Sequence, residues 1–139
     1  MNWLGYALLS ALFAGLVAIF GKIGVRDIDS TLATAARSVI MALALVTLVL
    51  ARSNKINLRE ISPRAWLFIT LAGLAGAASW LCYFRALQLG DASRVAPIDR
   101  MSVLVVVVIA TLFLGERLTA GVAFGALLVF VGSIFISRG

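Results

Sequence analysis

The sequence predicts an all-α fold, an integral membrane bundle of five transmembrane helices, and three observations predict it. Hydrophobic residues make up 63% of the 139-residue chain, against roughly 45–50% in soluble domains, and mean hydropathy is +1.10. A single soluble core of this size could not hide so much apolar surface. The apolar residues fall into five long runs separated by short polar turns, and the basic residues gather at the ends of those runs, where Lys and Arg fix orientation and touch lipid headgroups. The expected setting is a cell membrane crossed several times, with the lipid bilayer as the first partner.

The first helix is expected over about 3–23. Trp3 and Tyr6 suit a membrane interface. Ala7, Ala11, Gly15 and Ala18 form a small-residue stripe at helical spacing, which lets another helix approach closely. Only Asn2 precedes the apolar stretch, so there is no basic n-region and the segment reads as a retained helix, not a cleaved signal. Asp29 or Ser30 can cap the second helix, expected over about 31–51. Its charge-free part begins at Ser38, so Arg37 must enter the membrane for this helix to reach across.

Ser62 followed by Pro63 marks an N-cap and first helical position, opening a third helix over about 63–89. Gly73, Gly76 and Ala77 make a close-packing patch on it, and Trp80 and Tyr83 share another face near mid-membrane. Gly90 can end that helix and Asp91 can cap the next. The fourth helix is expected over about 92–114, with Pro97 in its first turns or at a kink. Its charge-free run, 101–115, falls short of the ~20 residues a span needs, so Asp99 and Arg100 are drawn below the membrane surface. A tight turn at 115–119 leads to a fifth helix over about 119–137. Gly121, Gly125 and Gly132 are its helix-packing positions, against helix four or against a second copy. Residues 1–139 read as a single domain with nothing substantial outside the membrane.

Tracing the helices from the side that holds the N-terminus puts Lys22, Arg37, Arg85, Asp99 and Arg100 toward the opposite side, in one layer of one leaflet. A charge at a helix centre costs about 2.5–3.5 kcal/mol on insertion scales, and such charges usually face protein or water. Lys22 reads as a snorkelling side chain; Arg85 reads either way. Asp99 is too short to snorkel far and belongs in a packed or wet interior, neutralised by Arg37 or Arg85. The surplus positive charge attracts carboxylates or phosphates. Asp99 is the one buried acid, hence the candidate for proton coupling, with a permanent structural ion pair as the alternative. Trp80 and Tyr83 either line a substrate cavity or simply pack. The candidate substrate-binding set is therefore Arg37, Arg85, Asp99, Arg100, Trp80 and Tyr83.

The net charge is +6, yet no basic stripe with interleaved aromatics lies on a polar domain, so a nucleic-acid partner is disfavoured. Cys82 is the single cysteine and histidine is absent, which leaves no disulfide within one chain and no zinc site of the usual Cys/His kind. No nucleophile–base pair, phosphate loop or metal-ligand spacing appears, so an enzyme is disfavoured and neither a cofactor nor a metal is implied.

Several short stretches, in order, carry a resemblance. They are Gly21-Lys22 after the first helix, Ala35-Ala36-Arg37-Ser38 in the second and Tyr83-Phe84-Arg85-Ala86-Leu87 in the third. Val95-Ala96-Pro97, Leu114-Gly115-Glu116-Arg117-Leu118-Thr119, and Gly125 with Gly132 complete it. Together they resemble the EamA domain of the drug/metabolite transporter superfamily over nearly the whole chain. The resemblance implies export of amino acids, other metabolites or drugs by alternating access. Most family members carry two such domains, ten helices in all; this chain is similar to the short five-helix bacterial and archaeal branch.

The expectation is then a secondary transporter subunit exporting a small organic metabolite, amino-acid-like and anionic or zwitterionic. The rival readings are a flippase of lipid-linked headgroups, efflux of lipophilic drugs, and, from another class, a non-transporting membrane assembly subunit. One domain lacks the inverted repeat that supplies two gates, so a homodimer is expected, and an antiparallel one is open. Arg52, Lys55, Arg59, Arg64 and Arg117 flank the membrane on the N-terminal side; Lys22, Arg26, Arg94 and Arg138 flank it on the other. So small a bias leaves orientation undecided by positive-inside counting.

Overall fold

The computed structural model describes residues 2–52 and 61–139. Most of the loop expected between the second and third helices, Lys55 and Arg59 included, lies outside the described residues. Among the described residues the chain forms α1 (Trp3–Gly24), α2 (Ser30–Ala51), α3 (Pro63–Leu89), α4 (Ala92–Asp99), α5 (Ser102–Phe113) and α6 (Ala120–Arg138). With α4 and α5 taken together as Ala92–Phe113, five segments are long and apolar enough to cross a membrane. The all-α membrane architecture is as the sequence predicts.

The helix starts follow from local chemistry. The Asp29 carboxylate accepts from the backbone N–H of Thr31 at 2.8 Å and of Leu32 at 3.0 Å, satisfying donors that the first turn of α2 leaves free. Ser62 Oγ accepts from Ala65 N–H at 3.2 Å, and Pro63 opens α3 where its missing N–H costs nothing. Thr119 Oγ1 accepts from Val122 N–H at the start of α6. Asp91 caps α4 through its backbone carbonyl, which receives Arg94 and Val95 N–H, both at 2.9 Å. Gly115 turns the chain after α5 with φ +68°, and Ala110 O accepts from both Leu114 and Glu116 N–H there. Within the apolar spans, the hydroxyls of Thr34, Ser38, Thr47 and Thr111 donate to the carbonyl four residues back at 2.7–2.8 Å. That local bond is how a polar side chain is satisfied where no water reaches.

The chain divides into two compact units. One takes in residues 24–88, hence α2 and α3. Its buried residues are Val25, Ser30, Ala33, Thr34, Phe84 and Leu87. The Gln88 amide fastens the turn before α2 by donating to Val25 O at 3.0 Å and Ile28 O at 2.7 Å. The other takes in 1–23 and 89–139, hence nearly all of α1 with α4, α5 and α6. Here α6 packs along α4 and less extensively along α5, and Ala18, Ala110 and Ser133 are buried. Lys22 Nζ donates to Gly90 O at 2.8 Å, so this lysine fastens the end of α1 to the turn before α4, where the sequence predicts a chain reaching for headgroups.

The fourth span, read from the sequence with Pro97 in its first turns or at a kink, is jointed: α4 stops at Asp99 and α5 starts at Ser102. Pro97 has no N–H to give to Ser93 O and its ring crowds the turn before it; the break itself lies just past it. Downstream the bonding tightens to a three-residue step, with Met101 N–H on Ile98 O, Val103 N–H on Arg100 O and Leu104 N–H on Met101 O. Several of the glycines singled out for packing have open space beside them among the described residues. A methyl group added at Gly15, Gly73, Gly76, Gly125 or Gly132 would meet no atom within 4 Å, and one at Gly121 would meet only Thr119 Oγ1 at 4.0 Å.

Candidate functional site

Ser30, Ala33, Thr34 and Arg37 recur at spacings of three and four, so they share one face of α2. Trp80, Tyr83, Phe84 and Leu87 do the same on α3. These two faces bring Arg37 onto Trp80. The guanidinium carbon of Arg37 lies 3.5 Å from the centroid of the indole ring. The ring is itself held edge-to-face by two neighbours. Tyr83 stands 5.4 Å away at 88° and Phe84 5.4 Å away at 84°. Trp80 is thus a fixed plate under the half-buried cation, and a cation–π contact of this kind is worth about 1–2 kcal/mol.

Arg37 Nη1 is buried and has no hydrogen-bond partner among the described residues. Arginine carries five N–H donors in a planar fork that matches the oxygens of a carboxylate or phosphate. A donor removed from water and left without an acceptor costs about 1–3 kcal/mol. The arrangement is a cation held from below by an aromatic plate, with hydrogen-bonding capacity still to be filled.

Arg85 is engaged differently. Its Nη1 donates to Gln88 Oε1 at 3.0 Å, and Gln88 holds the turn before α2 as described. Beyond the membrane segment, backbone N–H groups of Leu32 and then Thr31 hold the Asp29 carboxyl below its ordinary value of 3.8, and the positive charge of Arg85 adds to the effect. Arg85 is therefore part of the fastening at the end of α3.

Asp99 and Arg100 sit at the joint of the fourth span, in the other unit, and both are exposed. Arg100 lines an open groove of about 440 Å³ in that unit, together with Ala14 and Gly15 of α1, Pro97 of α4, and Gly132 and Ser133 of α6. Of the six residues the sequence singles out, the structure joins Arg37, Trp80 and Tyr83 in one cluster, ties Arg85 to Gln88, and places Asp99 and Arg100 side by side at a helix joint. Phe84, Gln88 and Ser133 were not singled out. Phe84 could have been found from its place four residues after Trp80; Gln88 and Ser133 were legible only as lone polar groups in apolar runs. No group of three or more His, Cys, Asp or Glu side chains comes together among the described residues.

Comparison with known proteins gives two matches. The family model described as the EamA-like transporter family matches residues 1–138. A protein of Sinorhizobium sp., described as an uncharacterized transporter in the cobO 3′ region, is 49% identical over 137 residues, which cover 94% of this chain and 97% of that relative. No solved structure matches the chain.

Proposed function

Because the chain belongs to the EamA-like transporter family, we propose that it exports a small organic metabolite, anionic or zwitterionic and amino-acid-like, by alternating access as a homodimer. Membership makes it a multi-pass cell-membrane transporter and not an enzyme. The finer reading rests on one observation above all, the buried Arg37 Nη1 with no acceptor over the Trp80 plate. A carboxylate oxygen of the substrate supplies that acceptor, Trp80 holds the guanidinium flat, and Tyr83 lines the same cluster. An unpaired buried cation repels a lipophilic cation, so this site favours anions over cationic drugs.

Asp99 is the coupling residue in this reading. It is an acid within a membrane span, on a joint where the backbone can move, and intramembrane carboxylates serve proton relays. Arg100 beside it serves the substrate's negative charge. The dimer follows from the five spans: one set of five gives one half of the inverted pair that transporters use to open alternately.

The test is thermal unfolding of the purified protein across a metabolite panel. A ligand that binds the native state raises the midpoint in proportion to its concentration over its Kd. Carboxylate-bearing metabolites are expected to raise it, and esters of the same compounds are not. No shift by any carboxylate or phosphate, or an equal shift by the neutral esters, overturns the reading. A subunit that only packs against a larger membrane protein would give no shift at all.

A further inference from the structure

The carbonyl of Pro97 has lost its helical donor. In a continuous α-helix it would accept from Met101 N–H, four residues on. Here Arg100 N–H bonds to Ala96 O at 3.1 Å and Met101 N–H bonds to Ile98 O at 3.0 Å, so the ladder steps over Pro97. The missing donor comes from another helix: Ser133 Oγ on α6 donates to Pro97 O at 2.9 Å. Ser133 is 4% exposed, and no apolar side chain at that position could do the same.

The surroundings leave the joint room to move. The open groove beside it is lined by Pro97, Arg100, Gly132 and Ser133 with Ala14 and Gly15 of α1. At Gly15 and at Gly132 even an added methyl would touch nothing. Asp99 is the last residue of α4 and Arg100 the first of the joint. Any bend between α4 and α5 therefore changes how these two side chains are directed relative to α5.

We propose that Ser133 is a positioning residue for Asp99 and Arg100: its hydrogen bond to the Pro97 carbonyl latches a joint in the fourth span, and release of the latch lets α4 swing against α5. The latch stands on the geometry; its use in moving substrate rests on the transporter reading above. A single bond between neutral groups suits the task. Its loss shifts a two-state population by about fivefold, enough to bias the joint without freezing it.

The test uses the full chain in lipid nanodiscs with Cys82→Ala and spin labels at positions 93 and 109, both exposed, one on each side of the joint. Pulsed electron resonance reads the distance between them with no substrate present, so a failed metabolite panel leaves this result intact. Ser133→Ala is expected to shift the ratio of short to long distances about fivefold, and Ser133→Thr, which keeps the hydroxyl, to restore the parent ratio. Ser133→Val, the shape of threonine without its hydroxyl, should shift the ratio as Ser133→Ala does. A distribution in Ser133→Ala that superimposes on the parent overturns the latch, as does a Ser133→Thr distribution that matches Ser133→Ala. If Ser133→Ala yields no folded protein, Ser133→Thr and Ser133→Val carry the comparison, and equal distributions in those two overturn the proposal.

Discussion

Arg37 and Trp80 are stacked, with the guanidinium carbon 3.5 Å from the ring centroid, and the cation so held has a buried nitrogen that no acceptor among the described residues meets. The aromatic contact and the orphaned donor oppose each other in the ligand-free protein. The first is worth about 1–2 kcal/mol and the second costs about 1–3 kcal/mol, so the arginine contributes little to stability when no ligand is present.

Arg37→Met should therefore leave the ligand-free protein within about 1 kcal/mol of the parent. Affinity for a carboxylate ligand should fall by roughly 10- to 150-fold, the loss of one hydrogen bond to a charged group. Melting with and without ligand reads both quantities. A ligand-induced shift that survives in Arg37→Met would move the binding site elsewhere.

Asp99→Asn should insert and purify in near-normal yield while proton-coupled movement of substrate is lost. An exposed carboxylate at a joint is not needed to hold the helices together. Reconstituted vesicles with an imposed pH gradient give the readout. Transport by the variant at the parent rate would remove Asp99 from the coupling step.

Asp29 gives a pH dependence whose sign is fixed. Its carboxyl titrates below 3.8 in the folded chain because Leu32 and Thr31 N–H bind the charged form. The stabilisation is complete above the unfolded value and fades as pH falls through the lower folded one. Asn keeps the capping oxygen but not the charge. Parent and Asp29→Asn should therefore differ in melting midpoint at neutral pH, with the parent higher, and converge as the pH drops below about 4. A gap that stays constant down to strongly acid pH would contradict the cap.

Gly115→Ala should destabilise by about 1–2 kcal/mol, since φ is +68° there and a Cβ strains that left-handed conformation. Open space around the position means that strain of the backbone, not crowding, sets the effect. Gly115→Asn should cost less, because Asn visits this region more readily. Equal melting of all three proteins would show that the turn relaxes.

Orientation is open to a direct check. If the small difference in flanking basic residues allows insertion both ways, cytoplasmic and external reporters fused after Gly139 should both give signal. Signal from one reporter only rules out an antiparallel pair and leaves a parallel dimer or a heteromer.

Local chemistry was the most legible part of the sequence. Asp29 and Ser62 cap helices where they were expected, because a cap needs only a side-chain oxygen and a free N–H close by. Arg37 and Trp80 were each singled out, yet their stacking was not, since it depends on the rotational phase of two separate helices. Lys22 and Arg85 were read as reaching for lipid or substrate. Lys22 binds a backbone carbonyl, and Arg85 binds a glutamine whose own anchors are two more. Carbonyls carry no mark in a sequence, so such partners stay hidden. The joint was half legible: Pro97 announced a kink, but the donor on α6 that completes it lies 36 residues away.

The division of the chain into residues 24–88 and residues 1–23 with 89–139 has a consequence for biosynthesis. The continuous unit can assemble while the ribosome is still translating the rest. The discontinuous one cannot, because α1 leaves the ribosome first and its partners leave last. At about 5–20 residues per second, the intervening stretch of about 65 residues holds α1 waiting in the bilayer for on the order of 3–13 s. An apolar helix that must wait without its mates is the one an insertase or a neighbouring nascent chain has most time to capture.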